Sequence, residues 1–260
     1  MTALGIPGTM PRCELTRVYV WELPVRLSHW AIAVSIGILS VTGLYIAHPV
    51  SLHPGSWRDT FSMGFVRTLH TYAAIVFGLG VLSRLFWMFQ GNKYSHWDKF
   101  IPVHRERWKG LIPTLRFYLF LLRKPPGFVG HNPLAGLFYT GIFVLYFFQI
   151  ATGMALYSGR ASVHSPFHAL GFLVPLFGGL QTARWIHHGI MWLLLGFVGH
   201  HVYSSVLMST VEANGTVESI FSGHKFVPPE DLVYSGYRFQ QRRILHEDSM
   251  RNGTPAQRQS

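Results

Sequence analysis

The sequence predicts an all-α membrane protein, built as a four-transmembrane-helix bundle. Three observations lead to this fold class: 49% of the 260 residues are hydrophobic, only 13% are charged, and the apolar residues fall into four long runs. A soluble domain carries about a quarter charged residues, so this chain has too few to cover a soluble globule. The formal net charge of +11 does not indicate a nucleic-acid partner, because such proteins join a basic surface to a soluble-type composition.

Each predicted span is long enough to cross a bilayer, which takes about 20 helical residues. The first runs from about His29 to His48, and the second from about Thr68 to Phe89. The third lies within Pro125 to Gly159, and the fourth within Trp185 to Val211. The second contains Arg84, whose long side chain we expect to snorkel to the interface. None of the four shows the period-2 alternation of a membrane β-barrel.

Two further apolar segments are predicted to lie at the membrane surface. Leu111 to Leu122 is too short to span and contains Arg116, which favours an interfacial helix. Val163 to Ala183 is long enough, but two prolines and the pair Gly178-Gly179 interrupt it. We therefore expect a structured loop there, with a fifth span as the alternative.

The distribution of basic residues predicts the orientation, because Lys and Arg concentrate in cytoplasmic loops. Eighteen of the 22 lie on one side: before the first span, at the end of the second or between it and the third, or after the fourth. Both termini are therefore expected to be cytoplasmic in a multi-pass protein of the bacterial cytoplasmic (inner) membrane. The expected organisation is an N-terminal segment at 1–28, a transmembrane domain at 29–211 and a cytoplasmic tail at 212–260.

Histidines inside the spans are the strongest functional signal, because an imidazole in hydrocarbon needs a polar partner or a metal. His29 begins the first span and His70 the second, so they lie at opposite ends of the bundle. The fourth span carries the doublets His187-His188 and His200-His201. Of the four ways to choose one histidine from each doublet, only His187 with His201 gives a spacing of 14 residues. At about 100° per residue this spacing places both on one helix face, about 21 Å apart along the axis.

This arrangement predicts two bis-histidine haem sites, one formed by His70 with His187 and the other by His29 with His201. Two imidazoles close both axial positions of the iron, which favours electron transfer over oxygen chemistry. Because Cys13 is the only cysteine, the haems would be non-covalent and b-type, and the chain can hold no iron–sulfur cluster. The other member of each doublet is expected to have a polar or interfacial role.

Small and basic residues near these histidines add weaker signals. Thr42-Gly43 and Thr152-Gly153 would let a flat macrocycle approach the backbone, although glycine is also common where membrane helices pack. Arg26, Arg67 and Arg184 flank the predicted ligands. They would either pair with haem propionates or simply reach the interface.

The sequence around the histidines contains a set of characteristic motifs. They are Arg26-Leu-Ser-His29-Trp30 with Val41-Thr42-Gly43, Arg67-Thr-Leu-His70, Gly91-Asn-Lys-Tyr-Ser95, Gly130-His131-Asn132-Pro133, His187-His-Gly-Ile-Met-Trp192 and Gly199-His-His201-Val-Tyr203. In combination, over about Val18 to Val227, they resemble the b-type cytochrome subunit of membrane-bound nickel–iron hydrogenases. The resemblance places the family's haem ligands on the same four histidines. The chain departs from the family pattern at Arg184-Trp-Ile-His187, where a small and then an aromatic residue are expected.

The resemblance implies a function that spacing alone does not. Such subunits anchor the small (iron–sulfur) and large (nickel–iron) hydrogenase subunits on the outer face of the membrane, and pass electrons through two haem b groups to quinone. The chain would be an electron-transfer subunit of a hydrogen:quinone oxidoreductase, not catalytic for hydrogen on its own. His131, Asn132 and Tyr203 are candidates for the quinone pocket, since they lie at the cytoplasmic ends of their helices. Asn132-Pro133 equally suits a helix start, and Tyr203 an interfacial aromatic belt.

Three other interpretations stay open. The histidine spacings are shared with the cytochrome subunits of formate dehydrogenases and thiosulfate reductases, so the docked enzyme could differ. A transmembrane reductase of iron or ascorbate would work without a catalytic partner. A haem-free membrane anchor, or a carrier of protons or substrate, belongs to another class, and a purified protein without a Soret band would favour it.

Overall fold

The computed structural model describes residues 15–49, 57–101, 105–122 and 131–227, with no side-chain description for 57–61 and 105–107. Within these ranges the chain is mostly helical, as the composition predicts. Four helices are long and apolar enough to cross a membrane. Cys13 and the polar tail from residue 228 to 260 lie outside the described residues.

Seven α-helices and two short strands form the described part of the chain. In order the helices are α1 (Leu23–Ala47), α2 (Trp57–Gln90), α3 (Arg105–Tyr118), α4 (Pro133–Ser158), α5 (Leu173–Leu176), α6 (Leu180–Glu212) and α7 (Thr216–Ser222). The candidate spans are α1, α2 from Ser62, α4 and α6. The prediction of four spans is therefore confirmed in the described residues.

Local sequence signals set the helix boundaries. The side-chain oxygen of Asn132 accepts a hydrogen bond from the backbone N–H of Ala135 at 2.7 Å. Pro133 takes the first helical position of α4, where its missing N–H has no cost. Gly178 and Gly179 have positive φ values of 76° and 102°, which glycine adopts without strain, and α6 begins directly after them.

The two ambiguous apolar segments form short helices. A 3-10 helix, Pro166–Phe172, continues into α5, and neither is long enough to span. The structured loop expected between the third and fourth spans is therefore present, and the fifth span is not formed. The other segment forms α3, which ends at Tyr118 rather than at the predicted Leu122. The helix ends early because Phe120 has a φ of 60°.

The first and last described segments meet in an antiparallel two-stranded sheet outside the bundle. β1 (Thr16–Tyr19) pairs with β2 (His224–Val227), with Thr16 opposite Val227. The two strands belong to the segments expected at 1–28 and 212–260, and their pairing joins these two segments. We call this the sheet end of the bundle, where α1 and α4 begin and α2 and α6 end. The opposite end, beside the Pro166–Phe172 helix, is the far end.

The core lies between the four long helices, with α1 packed along α2 and α4 along α6. Phe77 and Tyr146 meet there edge to face, with ring centroids 5.1 Å apart. Gly80 allows close approach of α1 and α2, since an added Cβ would lie 3.0 Å from the Ile32 side chain. Many large apolar side chains are exposed on the outer faces, as expected for helices surrounded by lipid.

Arg84 does not snorkel as predicted. Its side chain is only 4% exposed, and its guanidinium carbon lies 5.1 Å from the ring centre of Phe100 and 5.3 Å from that of Tyr139. These rings come from the segment after α2 and from α4. They cover the guanidinium with aromatic faces, which attract a cation, so the side chain stays inside the bundle.

Candidate functional site

The four predicted ligand histidines lie in two pairs, one at each end of the bundle. At the sheet end, His29 on α1 and His201 on α6 have ring centroids 6.3 Å apart and ring planes at 54°. At the far end, His70 on α2 lies near the His187-His188 doublet of α6. Because α6 is unbroken from Leu180 to Glu212, the 14-residue spacing does place His187 and His201 on one face.

A threonine holds each histidine of the far-end pair. The Thr42 hydroxyl donates to a carbonyl one turn earlier in α1 at 2.7 Å, and its oxygen lies 2.8 Å from Nδ1 of His70. Thr152 repeats this on α4, donating at 2.7 Å to its own helix and lying 2.9 Å from Nδ1 of His187. A hydroxyl has one proton, so each Nδ1 must be the donor. Each Nε2 is then left with the lone pair that can bind a metal.

Glycines adjoin both of these rings. A Cβ added at Gly43 would lie 3.4 Å from Cε1 of His70, and one at Gly153 would lie 3.3 Å from Cε1 of His187. The two Thr-Gly pairs therefore make the same contacts with a histidine ring, one pair from α1 and the other from α4. The threonine holds the imidazole and the glycine leaves room for it, whereas the sequence pattern pointed to either a haem face or helix packing at these glycines.

Gln149 is a functional candidate at the far end that the sequence analysis missed. Its amide Nε2 lies 3.2 Å from Nε2 of His187, the nitrogen that would ligate a haem iron, so the amide would have to move away for a haem to bind there. Its Oε1 is buried and has no hydrogen-bond partner among the described residues. The signal was available, because an amide inside a charge-free apolar run needs a polar partner.

Packing holds the sheet-end pair. His201 stacks on Phe197, with centroids 5.6 Å apart and planes at 17°. His29 meets Trp30 edge to face, with centroids 5.2 Å apart. The Nδ1 of His29 is buried and has no hydrogen-bond partner in the described part of the chain. An unsatisfied buried polar atom costs about 1–3 kcal/mol, so this ring is suited to a partner from outside the protein.

The sheet-end pair has a ring separation that suits the axial ligation of a haem. In a bis-histidine haem, the two ring centroids are separated by two metal–imidazole bonds of about 2 Å each plus the half-widths of the two rings, which is about 6 Å in all. The ring centroids of His29 and His201 are 6.3 Å apart. A metal site made of protein alone takes three or four ligands. Among the described residues no group of three or more His, Cys, Asp or Glu is placed to hold a metal.

The other members of the two doublets have polar or exposed surroundings of their own, and His188 also lies near His70 and His187. Nδ1 of His188 is 3.0 Å from the carbonyl of Arg184 in its own helix, which satisfies one of its ring nitrogens. His200 is exposed, with its ring 6.2 Å from that of Phe138. These contacts suit the polar and interfacial roles expected for them.

The three quinone-pocket candidates have different surroundings. Tyr203 is 59% exposed on α6, and the side-chain oxygen of Asn132 caps α4. His131 lies in an aromatic cluster at the sheet end. Its ring centroid is 4.9 Å, 5.1 Å and 5.5 Å from those of Trp21, Phe100 and Tyr139.

The arginines predicted to flank the haems differ in burial. Arg67 and Arg184 are exposed, and Arg184 donates to the side chain of Gln181 at 2.5 Å. Arg26 donates through Nη1 to the backbone carbonyl of Phe221, which uses part of its hydrogen-bonding capacity within the sheet end.

Comparison with known proteins agrees with the resemblance seen in the motifs. The family model described as prokaryotic cytochrome b561 matches residues 20–223. A relative from Azotobacter vinelandii, named a probable Ni/Fe-hydrogenase B-type cytochrome subunit, is 39% identical over 80% of this chain and 88% of its own length. A relative of the same name from Cupriavidus necator is 38% identical over 82% and 88%. One from Escherichia coli, named a probable Ni/Fe-hydrogenase 1 B-type cytochrome subunit, is 35% identical over 80% and 92%.

Proposed function

The chain belongs to the prokaryotic cytochrome b561 family, and on that premise we propose that it is the cytochrome subunit of a nickel–iron hydrogenase, carrying electrons through two haem b groups to membrane quinone. The pairing of four histidines at the two ends of the bundle carries the haem part of this proposal. The names of the relatives support the hydrogenase part.

In this proposal His70 and His187 hold one haem, and His29 and His201 hold the other. A haem with two imidazole ligands supplies one-electron transfer and offers no open position to oxygen. The Thr42 and Thr152 hydroxyls keep the far-end imidazoles in the tautomer that ligates through Nε2. The axial separation of about 21 Å along α6 lets the two sites together cross most of a hydrocarbon core of about 30 Å.

The proposal also orients the chain, with the sheet end on the cytoplasmic side of the inner membrane. The support is the concentration of basic residues in the segments that meet at that end. The hydrogenase small and large subunits would then dock at the far end. Quinone would bind at the sheet end near His131, where Trp21, Phe100 and Tyr139 offer aromatic faces, with Asn132 and Tyr203 as the other candidates.

Alanine variants of the histidines test the haem assignment. In redox-titrated absorption spectra of the purified complex, His70→Ala and His187→Ala should remove the same haem component. His29→Ala and His201→Ala should remove the other. His188→Ala is the matched control, because it alters the neighbour of a ligand on the same helix. Loss of a component in this control would contradict the assignment.

Electron transfer to quinone is tested separately. Loss of either haem should abolish hydrogen-dependent quinone reduction, while hydrogen oxidation with a soluble dye survives, because the dye takes electrons before they reach this chain. If the chain copurified with a formate dehydrogenase instead of a hydrogenase, the proposed partner would be wrong, but the haem assignment would stand. Absence of a Soret band from the purified protein would instead favour the haem-free anchor or carrier.

A further inference from the structure

The short helix α3 exposes an apolar stripe on the side that faces away from the bundle. Trp108, Ile112 and Leu115 form this stripe and are 56%, 61% and 47% exposed. They follow one another at intervals of four and three residues, so at about 100° per residue they lie within about 60° of each other. The apolar surface continues past the end of the helix through Leu119 to Leu122, which are exposed as well. A continuous apolar surface of this kind indicates contact with a partner or a membrane.

The opposite side of α3 fixes the direction of this stripe. Thr114 and Phe117 are only 1% and 7% exposed, and Gly110 is buried. At about 100° per residue these three lie on the far side of the helix from Trp108, and α3 packs against α4. The helix is therefore held on the bundle by one side, with its apolar stripe pointing outward.

A row of basic side chains borders the stripe. Lys109 and Arg116 are both exposed, and they lie about 80–100° around the helix from Trp108. Neither takes part in the ion pairs found among the described side chains, which join Asp98 to its two neighbours His96 and Lys99. The whole segment 93–124 contains eight Lys or Arg and two acidic residues. The exposed side of α3 is thus apolar along its centre and positive along one border.

The position of α3 places this surface where hydrocarbon meets water. The helix connects α2, which ends at the sheet end, to α4, which begins there. Its 14 residues make it about 21 Å long, which is too short to span a bilayer. A helix at this level can bury an apolar stripe among acyl chains while its Lys and Arg side chains reach the headgroups.

A second copy of this chain fits the surface poorly. Such a cover would need free acidic groups beside an apolar face. The acidic side chains in the described ranges are those of Glu22, Asp98, Glu212 and Glu218. Each already accepts a hydrogen bond within the chain, so the described residues offer no matching acidic face.

We propose that α3 is a binding site for an anionic phospholipid, with the apolar stripe against the acyl chains and Lys109 and Arg116 against the headgroup phosphate. Basic residues on an amphipathic helix beside a membrane span attract anionic lipids. A zwitterionic lipid carries the same phosphate, but its own ammonium group offsets the charge. The inference goes beyond the proposed function, because neither haem nor quinone takes part in it.

Titration of the purified chain with single lipids, followed by native mass spectrometry, tests the headgroup preference. Phosphatidylglycerol should bind at least about fivefold more tightly than phosphatidylcholine with the same acyl chains. Lys109→Gln and Arg116→Gln should each lower the phosphatidylglycerol affinity about fivefold, because a basic residue near an anionic surface contributes about 1 kcal/mol. Neither should alter phosphatidylcholine binding. Equal affinities of the parent chain for the two lipids would overturn the proposal.

Two further variants separate the charges from the apolar stripe. Arg160→Gln is the matched control, since it makes the same change on an exposed residue at the far end, and it should bind phosphatidylglycerol as the parent chain does. Ile112→Asn should weaken both lipids alike, because it makes the stripe polar and leaves the charges in place. If Arg160→Gln weakened phosphatidylglycerol binding as much as Arg116→Gln, the site would not be on α3 and the proposal would fail.

The parent chain also allows a test that needs no substitution. Raising the ionic strength from 0.1 M to 1 M shortens the Debye length from about 10 Å to about 3 Å. The preference for phosphatidylglycerol over phosphatidylcholine should then fall at least about twofold, because exposed charges are screened. A preference that salt leaves unchanged would refute the role of Lys109 and Arg116.

A spin label on the stripe shows what covers it. Cys13 is the only cysteine, so Trp108→Cys in a Cys13→Ser chain carries a nitroxide at this one position. In bilayer discs that contain phosphatidylglycerol, oxygen, which concentrates among acyl chains, should relax the label more strongly than a water-soluble nickel chelate. Stronger relaxation by the chelate would place the stripe in water, and weak relaxation by both would place it under a protein. Either result would overturn the proposal.

Discussion

Replacing Thr42 with valine should weaken the far-end haem through a residue that never touches the iron. Valine keeps the shape of threonine and removes only the hydroxyl that accepts from Nδ1 of His70 at 2.8 Å. The carbonyl in α1 that receives the hydroxyl proton keeps a second lone pair and its helical environment. The main loss is therefore the acceptor that holds the His70 tautomer and orientation.

The size of the effect follows from burial. A buried donor without its partner costs about 1–3 kcal/mol, and a factor of ten in affinity is about 1.4 kcal/mol. The removal of a residue that orients a metal ligand typically weakens metal binding about 10–100-fold. Because the Thr42–His70 bond is only partly buried, water can replace some of it. We therefore expect about a tenfold loss of haem affinity, near the lower limit of that range.

The assay is titration of the haem-depleted protein with haem, followed in the absorption spectrum. Thr42→Val and Thr152→Val should both weaken the same spectral component, since they act on the two ligands of one haem. Thr42→Ser should bind normally. Thr140→Val is the matched control, because that hydroxyl donates to its own helix at 3.2 Å and contacts no histidine. If the two variants altered different components, or matched Thr140→Val, the tautomer argument would be refuted.

Three other predictions concern the sheet end and can be checked by thermal unfolding. Glu22→Gln should lower the free energy of unfolding by about 1 kcal/mol for each of its two bonds, because bonds to a charged acceptor are stronger by about that amount. Gly223→Ala should be severely destabilising, since φ is 84° and the added Cβ would lie 2.6 Å from a Tyr19 ring atom. Gly37→Ala, in open space within α1, should instead be neutral or stabilising by up to about 1 kcal/mol. Burial lowers the pKa of Lys225, with the Glu212 carboxylate opposing it. The folded chain then binds fewer protons, so stability should rise with pH up to the ordinary value of 10.5, and Lys225→Met should remove that rise.

The spans could be predicted because they are a local property, and the prediction for the histidine phase rests on local geometry too. A charge-free run of sufficient length crosses a bilayer whatever its neighbours are, and 14 residues of an unbroken helix return to the same face by geometry alone. The same reasoning selected His187 and His201 from their doublets. The helix boundaries at Asn132 and Gly179 also follow from the chemistry of a few adjacent residues.

The surroundings of the histidines depended on contacts between helices. Thr42 reaches His70 across 28 residues and Thr152 reaches His187 across 35, and no local pattern tells which hydroxyl meets which ring. Arg84 shows the same limit, since near a helix end its sequence context predicts snorkelling. Only the packing of Phe100 and Tyr139 around it decides that the charge stays inside.

The sequence by itself determined a bundle of four candidate membrane spans and predicted histidine pairs from level and helical phase. The tertiary structure decided which hydroxyls contact His70 and His187, and that Arg84 stays inside the bundle. The physical reason is that hydrophobic length and helical periodicity are set along one chain segment. Hydrogen bonds and ion pairs act only over a few ångströms, and they exist only once separate segments have been brought together.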